Sequence, residues 1–507
     1  MKNIREKIPA EVIITCLALF SIAIHLLTAG NLEYHRDELL YFSLGQHPAF
    51  GYATVPPLIG WMAWLIQNIL GYSLFAVRLV PSILSGVMVF LVSEIAKELG
   101  GSKYARVLAG IGFIISIFAM RTFGLFQPVH TDVFFWTLSI YLIIRYINTS
   151  LGEYLIYLGL VAGLSFLNKY MIGLLFFCLF VVIPFTQHRR VFTEKKFWFG
   201  ILIGLLIFLP NIIWQIVNGL PVIWHFSELA RTQLNNVNRE TFLFEQIMMP
   251  GASSVLTVAG LFYLFLNKNV RKFRFLGIVT ILVIAILLIL RGKSYYTMGV
   301  FPFLIAAGSV SYASLLKKPW LKVLLPVMLI LLTIPMVPIG IPVFKTDGLV
   351  KYFRDLDTGR RFEDNSIHSL PQDYADMLGW EELTMITNKA WQMIPDKKAA
   401  FIYCENYGQA GAITIIGKKY GLPAAVCFSE SFRYWVPNEF NPDITSFIYI
   451  NDELGEDVKT IFSKITYIGA ITNRDAREFG TKVYLCEEPV GSFNKGWREL
   501  LQQLNKK

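Results

Sequence analysis

Charged residues are scarce in this 507-residue chain, at 16% against 54% apolar. A water-soluble fold of that length could not hide so much apolar surface, so lipid must solvate much of it. Cysteine is scarce too. Five residues are too few for a disulfide scaffold, and no spacing resembles a zinc site. Cys16 and Cys178 fall in apolar runs and read as core filler. Cys404, Cys427 and Cys486 lie near the C-terminus, where an odd number leaves at least one thiol free. The chain has no glycine-rich nucleotide loop, no nucleophile elbow, no internal repeat and no low-complexity tract. The net charge of +10 does not signal nucleic acid. Its basic residues sit in short clusters between apolar runs, where they set membrane orientation. The N-terminus has a basic start and an apolar core like a signal peptide, but it runs long and meets no small-residue cleavage site. It is expected to stay as a first span.

What is abundant is apolar runs of about 20 residues, the length a crossing needs. They lie near residues 10–29, 77–96, 106–126, 132–147, 154–168, 170–186, 197–216, 250–267, 275–290, 296–314 and 321–343, which makes about eleven spans. Every second loop is basic: Lys97, Lys103 and Arg106; Arg145; Arg189, Arg190, Lys195 and Lys196; Lys268, Arg271, Lys272 and Arg274; Lys317, Lys318 and Lys322. With Lys2, Arg5 and Lys7 inside, all of these loops are inside and the C-terminal region is outside. The run at 58–70 is only about 13 residues and follows Pro56-Pro57. It is expected to lie in the interface as part of a long first outer loop, because counting it as a span would invert everything after it. The predicted architecture is an α-helical polytopic membrane domain over residues 1–345, followed by a soluble α/β domain over 346–507. The tail pattern is AAFIYC, a helix near 407–420, AAVCF, SFIYI, a helix near 454–463 and TKVYLC, which suggests a partly parallel sheet.

The predicted outer face carries an unusual set of charges. His35-Arg36-Asp37-Glu38 opens the first outer loop, His130-Thr131-Asp132 precedes the fourth span, Lys169 marks the next turn, and Arg291-Gly-Lys293-Ser-Tyr295-Tyr296 comes later. Carboxylates can take a proton from an acceptor hydroxyl, and Arg or Lys can neutralise a departing phosphate. A single charge at a span end is more often a solvated anchor, the reading that suits Lys169 and Arg36, and Asp132 could simply cap its helix. Several such sites on one face weigh against that reading. Charge and periodicity alone leave transporter and enzyme about even.

Several stretches resemble the C-type membrane glycosyltransferases of the protein O-mannosyltransferase and lipid A aminoarabinose transferase kind. They are Tyr34-His-Arg-Asp37-Glu38-Leu-Leu-Tyr41, Pro56-Pro57-Leu58, Ala76-Val-Arg78-Leu-Val-Pro81, Asp132, Asn168-Lys169-Tyr170, and Lys293-Ser-Tyr295-Tyr296 ahead of Pro302, in that order over about residues 10–315. The resemblance implies an inverting, single-displacement transfer from a polyprenyl-phosphate sugar to a lipid, glycan or protein acceptor, in an outward cavity of a bacterial inner or plasma membrane. It implies Asp37 as base beside Glu38, and Asp132 as a second acidic site. Arg291, Lys293, Tyr295, Tyr296 and Arg78 would hold the phosphate. A divalent cation on Asp37, Asp132 and His130 stays open, and the tail would position the acceptor or cover the cavity. A transporter or flippase of lipid-linked sugars is the alternative, although the span centres are almost free of charge.

Overall fold

In a bilayer every backbone N–H and C=O must be satisfied within the protein, which leaves helices as the means for apolar runs of this kind to cross. The computed structural model describes residues 9–504 apart from 233, 235, 236, 358 and 363–365. Lys2, Arg5 and Lys7, assigned to the inner side from the sequence, lie outside the described residues. The chain begins with α1 (Ala10–Thr28), α2 (Arg36–Leu44), α3 (Leu58–Ile69), α4 (Leu74–Glu98), α5 (Lys103–Ile114) and α6 (Ile117–Thr122). It continues through α7 (Pro128–Thr149), α8 (Glu153–Phe166), α9 (Ile172–Val182) and α10 (Lys195–Val217).

Among the described residues, six helices are long and apolar enough to cross a membrane. They are α1, α4, α10 and the stretches Lys268–Ile289, Ser294–Leu315 and Pro319–Gly340. A pair bent by 91°, Arg239–Met248 with Gly251–Leu266, makes a seventh if it is one span. The remaining runs of the sequence count are helical but different in form. Run 106–126 breaks at Ile115-Ser116 into α5 and α6, and α8 and α9 are 14 and 11 residues long. The 22-residue α7 opens on His130, Thr131 and Asp132 and carries Arg145 near its far end, so its apolar stretch is diluted by polar groups. The 12 residues of α3 reach only about 18 Å and expose Trp64, Leu65 and Ile69 along one face. That is too short for a crossing and suits the interface.

Contacts divide the chain into two compact units. The first comprises residues up to Ala29, Phe50–Ile59 and Arg78–Val343; the second comprises Gly30–Ala49, Gly60–Val77 and the stretch from Phe344 onward. A single cut at 345/346 therefore misses that most of the first long loop packs with the C-terminal region. The physical reason lies in two glycines of helix Tyr407–Ile415. A Cβ on Gly411 would lie 2.8 Å from Leu39 Cβ, and one on Gly408 would lie 2.7 Å from Arg36 Cγ, so only glycine lets α2 come this close.

Within the first unit, the basic loops meet. Arg106 pairs with Glu94 at 2.6 Å and with Glu11 at 2.8 Å; Arg145 pairs with Glu98 and donates to the Tyr154 hydroxyl at 2.6 Å. Lys196 pairs with Glu153 at 2.5 Å, His188 is 2.7 Å from the Lys272 carbonyl, and Lys322 lies 5.7 Å from the Tyr104 ring centre. Four of these contacts, Arg145–Glu98, Lys196–Glu153, His188–Lys272 and Lys322–Tyr104, join two loops that the alternation of charge had assigned to one side.

The helices of this unit approach one another through small residues. α8 carries Gly159 and Gly163, four apart, and α10 carries Gly200 and Gly204. A Cβ on Gly163 would sit 2.8 Å from the Gly204 carbonyl, and one on Gly159 would run into the carbonyl of Gly200. Lipid gives no hydrophobic drive for helices to associate, so close backbone packing of this kind has to supply it. Gly159→Leu is accordingly expected to destabilise the protein by about 1–3 kcal/mol or more. Thermal unfolding in detergent checks this, and an unchanged Tm would show that the crossing carries no weight.

In the second unit the C-terminal region forms a four-stranded sheet with order β1 (Ala400–Cys404), β2 (Ser446–Asn451), β4 (Lys482–Pro489), β3 (Phe462–Ala470). β1 and β2 are parallel, and the other pairs are antiparallel. AAVCF contributes only an isolated parallel bridge, Val426 to Tyr403. β3 was hidden because the sequence reading ran its first residues into the preceding helix, which ends at Ile461. Phe401, Phe447, Tyr449, Phe462, Phe493 and Trp497 form the core behind the sheet. Cys404, Cys427 and Cys486 are all free and buried, and burial pushes the Cys427 and Cys486 thiols up to about 12. Cys178 is buried as expected, whereas Cys16 is exposed on its helix instead of filling a core.

Candidate functional site

In the first unit, separate turns converge. Pro128 occupies the first turn of α7, where its missing N–H costs nothing. Its carbonyl accepts from the Asn168 amide at 3.0 Å, which ties the α8–α9 turn to the start of α7. The Leu58 N–H donates to the Leu167 carbonyl at 2.9 Å, so the residue after Pro56-Pro57 joins the same turn. This turn presents Lys169, whose Nζ lies 5.1 Å from the ring centres of both Tyr295 and Tyr296. Lys293 Nζ lies 6.0 Å from the Tyr295 ring, and the two tyrosine rings are 4.7 Å apart, edge to face. The segment carrying them, Ser294–Val300, is a 3₁₀ turn. It is pinned to the helix Arg239–Met248 by Ser294 donating to Glu245 and Thr297 donating to Gln246 at 2.6 Å.

Asp132 belongs to this group. It is buried, Lys169 is the cation that acts on its charge, and its Oδ1 has no hydrogen-bond partner among the described residues. A buried carboxylate oxygen left without a donor is costly, so this oxygen favours any group that brings a donor to it. Two ammonium groups, two phenols and this carboxylate can together hold an anionic group that also offers hydroxyls.

Other residues expected at the site are placed differently. Arg291 is exposed at a turn where its φ is +55°, just past the helix Arg274–Ile289. Arg78 is fully buried and donates to the carbonyl of Ala29, which caps the end of α1. That contact holds α4 to α1, a structural task. His130 is buried with its ring 6.0 Å from that of Phe126. It stands two residues before Asp132 on the same helix, and side chains at that spacing point to different faces, so the two do not fit one ion together. Among the described residues, no three His, Cys, Asp or Glu side chains gather as a metal-ligand set.

The second unit places Asp37 in the first turn of α2. His35 accepts the Asp37 N–H at 3.0 Å through Nδ1, and Glu38 accepts the His35 N–H at 2.9 Å, a reciprocal cap. Glu38 is fully buried in that cap, so it sets the helix start. The loop before Trp380 secures the same point: the Asp376 carbonyl accepts the Arg36 N–H at 2.9 Å, and the Asp376 carboxylate pairs with Arg477 at 3.1 Å. Burial pushes the Asp376 carboxyl up, against the opposing pull of His35, Arg477 and Arg36. The Tyr407 hydroxyl donates to Asp37 Oδ1 at 2.9 Å, and the Arg36 guanidinium lies 4.4 Å from the Tyr407 ring centre. Nothing in the sequence links Tyr407 to a loop 370 residues earlier.

The family described as dolichyl-phosphate-mannose-protein mannosyltransferase has a sequence model that matches residues 54–214. The lipopolysaccharide core galacturonosyltransferase RgtA of Rhizobium johnstonii is 25% identical over 213 residues. That stretch is 40% of this chain and 41% of the relative's length. A crystal structure of ArnT from Cupriavidus metallidurans bound to undecaprenyl phosphate has the same fold. It superposes with a TM-score of 0.65 over 94% of this chain and 97% of that one, at 12% identity. The apo form of the same ArnT gives 0.61 over 93% and 97%, at 10% identity. A matching family model, a curated sequence relative and a shared fold therefore bear out the resemblance of this chain to the C-type membrane glycosyltransferases.

Proposed function

We propose that the protein is an inverting glycosyltransferase that moves a sugar from a polyprenyl-phosphate donor to an acceptor on the outer side of a bacterial inner or plasma membrane, with about eleven spans. The carrying observation is the first-unit cluster, where Lys169 and Lys293 share Tyr295 and the charge of Lys169 acts on buried Asp132. The two ammonium groups hold the phosphate as negative charge builds on it in the transition state. Asp132, with its open oxygen, accepts from a sugar hydroxyl. Asp37 takes the proton of the acceptor hydroxyl while that oxygen bonds to the anomeric carbon. The bond from that carbon to the phosphate oxygen breaks, and the prenyl phosphate leaves. The configuration at the anomeric carbon inverts, because one displacement occurs. No step runs through a metal ion.

The flippase reading is the less supported one. Transporters keep ionisable residues near the bilayer midplane on broken helices, whereas here the charges of the first unit gather in loops and first turns. Purified protein given undecaprenyl-phosphate-linked sugars should release prenyl phosphate only when an acceptor is present. Cells lacking the protein should accumulate one prenyl-linked sugar and lose one envelope glycan decoration by mass spectrometry. Unchanged profiles in those cells would overturn the enzymatic reading.

Sidedness is tested separately. The end where the five basic loops meet is assigned to the cytoplasm by the positive-inside rule. A C-terminal tag is then expected to react with an impermeant reagent in intact cells, and a tag in the 187–196 loop to be protected. The opposite pattern would remove the outer-face assignment.

A further inference from the structure

The mechanism above leaves unexplained why the carboxylate of Asp37 should be held by a side chain from the C-terminal region. Asp37 sits at the second position of α2, where its backbone is fixed by the His35–Glu38 cap. The cap fixes the helix start but does not fix rotation of the carboxylate, because the aspartate torsion nearest the oxygens is broad. Tyr407 supplies that restraint through its 2.9 Å hydrogen bond to Oδ1.

Four features hold Tyr407 in place, and each belongs to the same compact unit. Asn406 caps the helix Tyr407–Ile415, accepting the N–H groups of Gly408 and Gln409 at 2.9 and 3.0 Å. Asn406 and Gln409 in turn donate to Glu478, at 3.1 and 2.9 Å. Gly408 leaves the space that Arg36 needs: a Cβ there would sit 2.7 Å from Arg36 Cγ and 2.8 Å from the Trp380 ring. Arg36 then lies over the Tyr407 ring, 4.4 Å from its centre, which locks the ring plane. Burial and the Asp37 charge push the phenol well above its usual range, so Oη stays protonated and remains a donor.

We propose that Tyr407 is a positioning residue for the reaction: its hydroxyl occupies Asp37 Oδ1 and turns Oδ2 toward the acceptor hydroxyl. This rests on Asp37 being the base. A carboxylate with one oxygen engaged by a neutral donor keeps its charge and presents a single defined acceptor, which is the orienting task that a third group performs for a catalytic base. Arg36, which looks like a membrane-end anchor in the sequence, becomes part of the same arrangement by clamping the tyrosine ring.

The test uses the full-length protein in nanodiscs with three variants, Tyr407→Phe, Asp37→Asn and the two combined. Phenylalanine keeps the ring under Arg36 and removes only the hydroxyl. Expected for Tyr407→Phe is a kcat lower by about 10- to 100-fold, the loss that goes with one hydrogen bond to a charged group. Donor affinity should stay at the wild-type value, with Tm lower by no more than the loss of one hydrogen bond. Because Tyr407 acts through Asp37, the double variant should be no slower than Asp37→Asn alone. Wild-type kcat in Tyr407→Phe overturns the proposal, as does a double variant that multiplies the two losses. A fall in donor affinity and Tm together with kcat also overturns it, since that is the pattern of lost packing. Failure of the base assignment is read from a different arm: an Asp37→Asn protein with wild-type turnover.

Discussion

Asp37→Asn is expected to lower turnover by about 10²–10⁴-fold while leaving donor affinity close to wild type. Asparagine keeps the size of the side chain, and its carbonyl oxygen can still accept from Tyr407, so the geometry around α2 is retained and basicity alone is lost. The measurement is single-turnover transfer from a polyprenyl-phosphate sugar, alongside a binding isotherm for the same donor. If turnover survives, the carboxylate serves only to bind Tyr407 and the proposed mechanism fails. If donor affinity falls as far as turnover, Asp37 organises the donor site instead of acting on the acceptor.

Lys293→Ala is expected to differ in donor affinity, weakening donor binding by roughly 10- to 100-fold and lowering turnover as well. Its ammonium is one of two near the Tyr295 ring, the other being Lys169 at 5.1 Å. Loss of one leaves the phosphate with half of the local positive charge. Lys293→Arg should recover part of the binding, because the charge is kept while the planar fork replaces a compact point charge. Donor affinity that is unchanged in Lys293→Ala would move the phosphate elsewhere.

Much of the membrane architecture was legible because it depends on residue type averaged over long windows. The alternation of basic loops predicted that Arg106, Arg145, Lys196, Lys272 and Lys322 share a side, and the contacts Arg145–Glu98, Lys196–Glu153, His188–Lys272 and Lys322–Tyr104 join those loops pairwise. The count of spans was less legible. Break points such as Ile115-Ser116 and the 91° bend before Gly251 depend on packing, which an apolar run does not encode. Among the site residues, Lys169 was undervalued as an anchor because its partners, Asp132, Tyr295 and Tyr296, come from other turns. Arg78 was valued as a phosphate ligand, yet it caps α1 from inside the protein; burial is invisible when the neighbouring sequence is read alone. Glu38 beside Asp37 looked like a second reactive carboxylate, and only the fold shows it turned back onto the His35 N–H.

The pairing of α2 with the helix Tyr407–Ile415 has a consequence for how the protein is made. Asp37 leaves the ribosome 370 residues before Tyr407. At about 5–20 residues per second the early loop waits about 20–70 s for its partner. During that interval α2 exposes the surface that Gly408 and Gly411 later cover, and the carboxylate has no phenol to orient it. A chain that stalls or is cut before the C-terminal region would insert its helices yet lack the hydrogen bond on Asp37. Completion of synthesis thus sets when the Asp37 carboxylate takes up its final orientation, and an incomplete product in the membrane would carry it unrestrained.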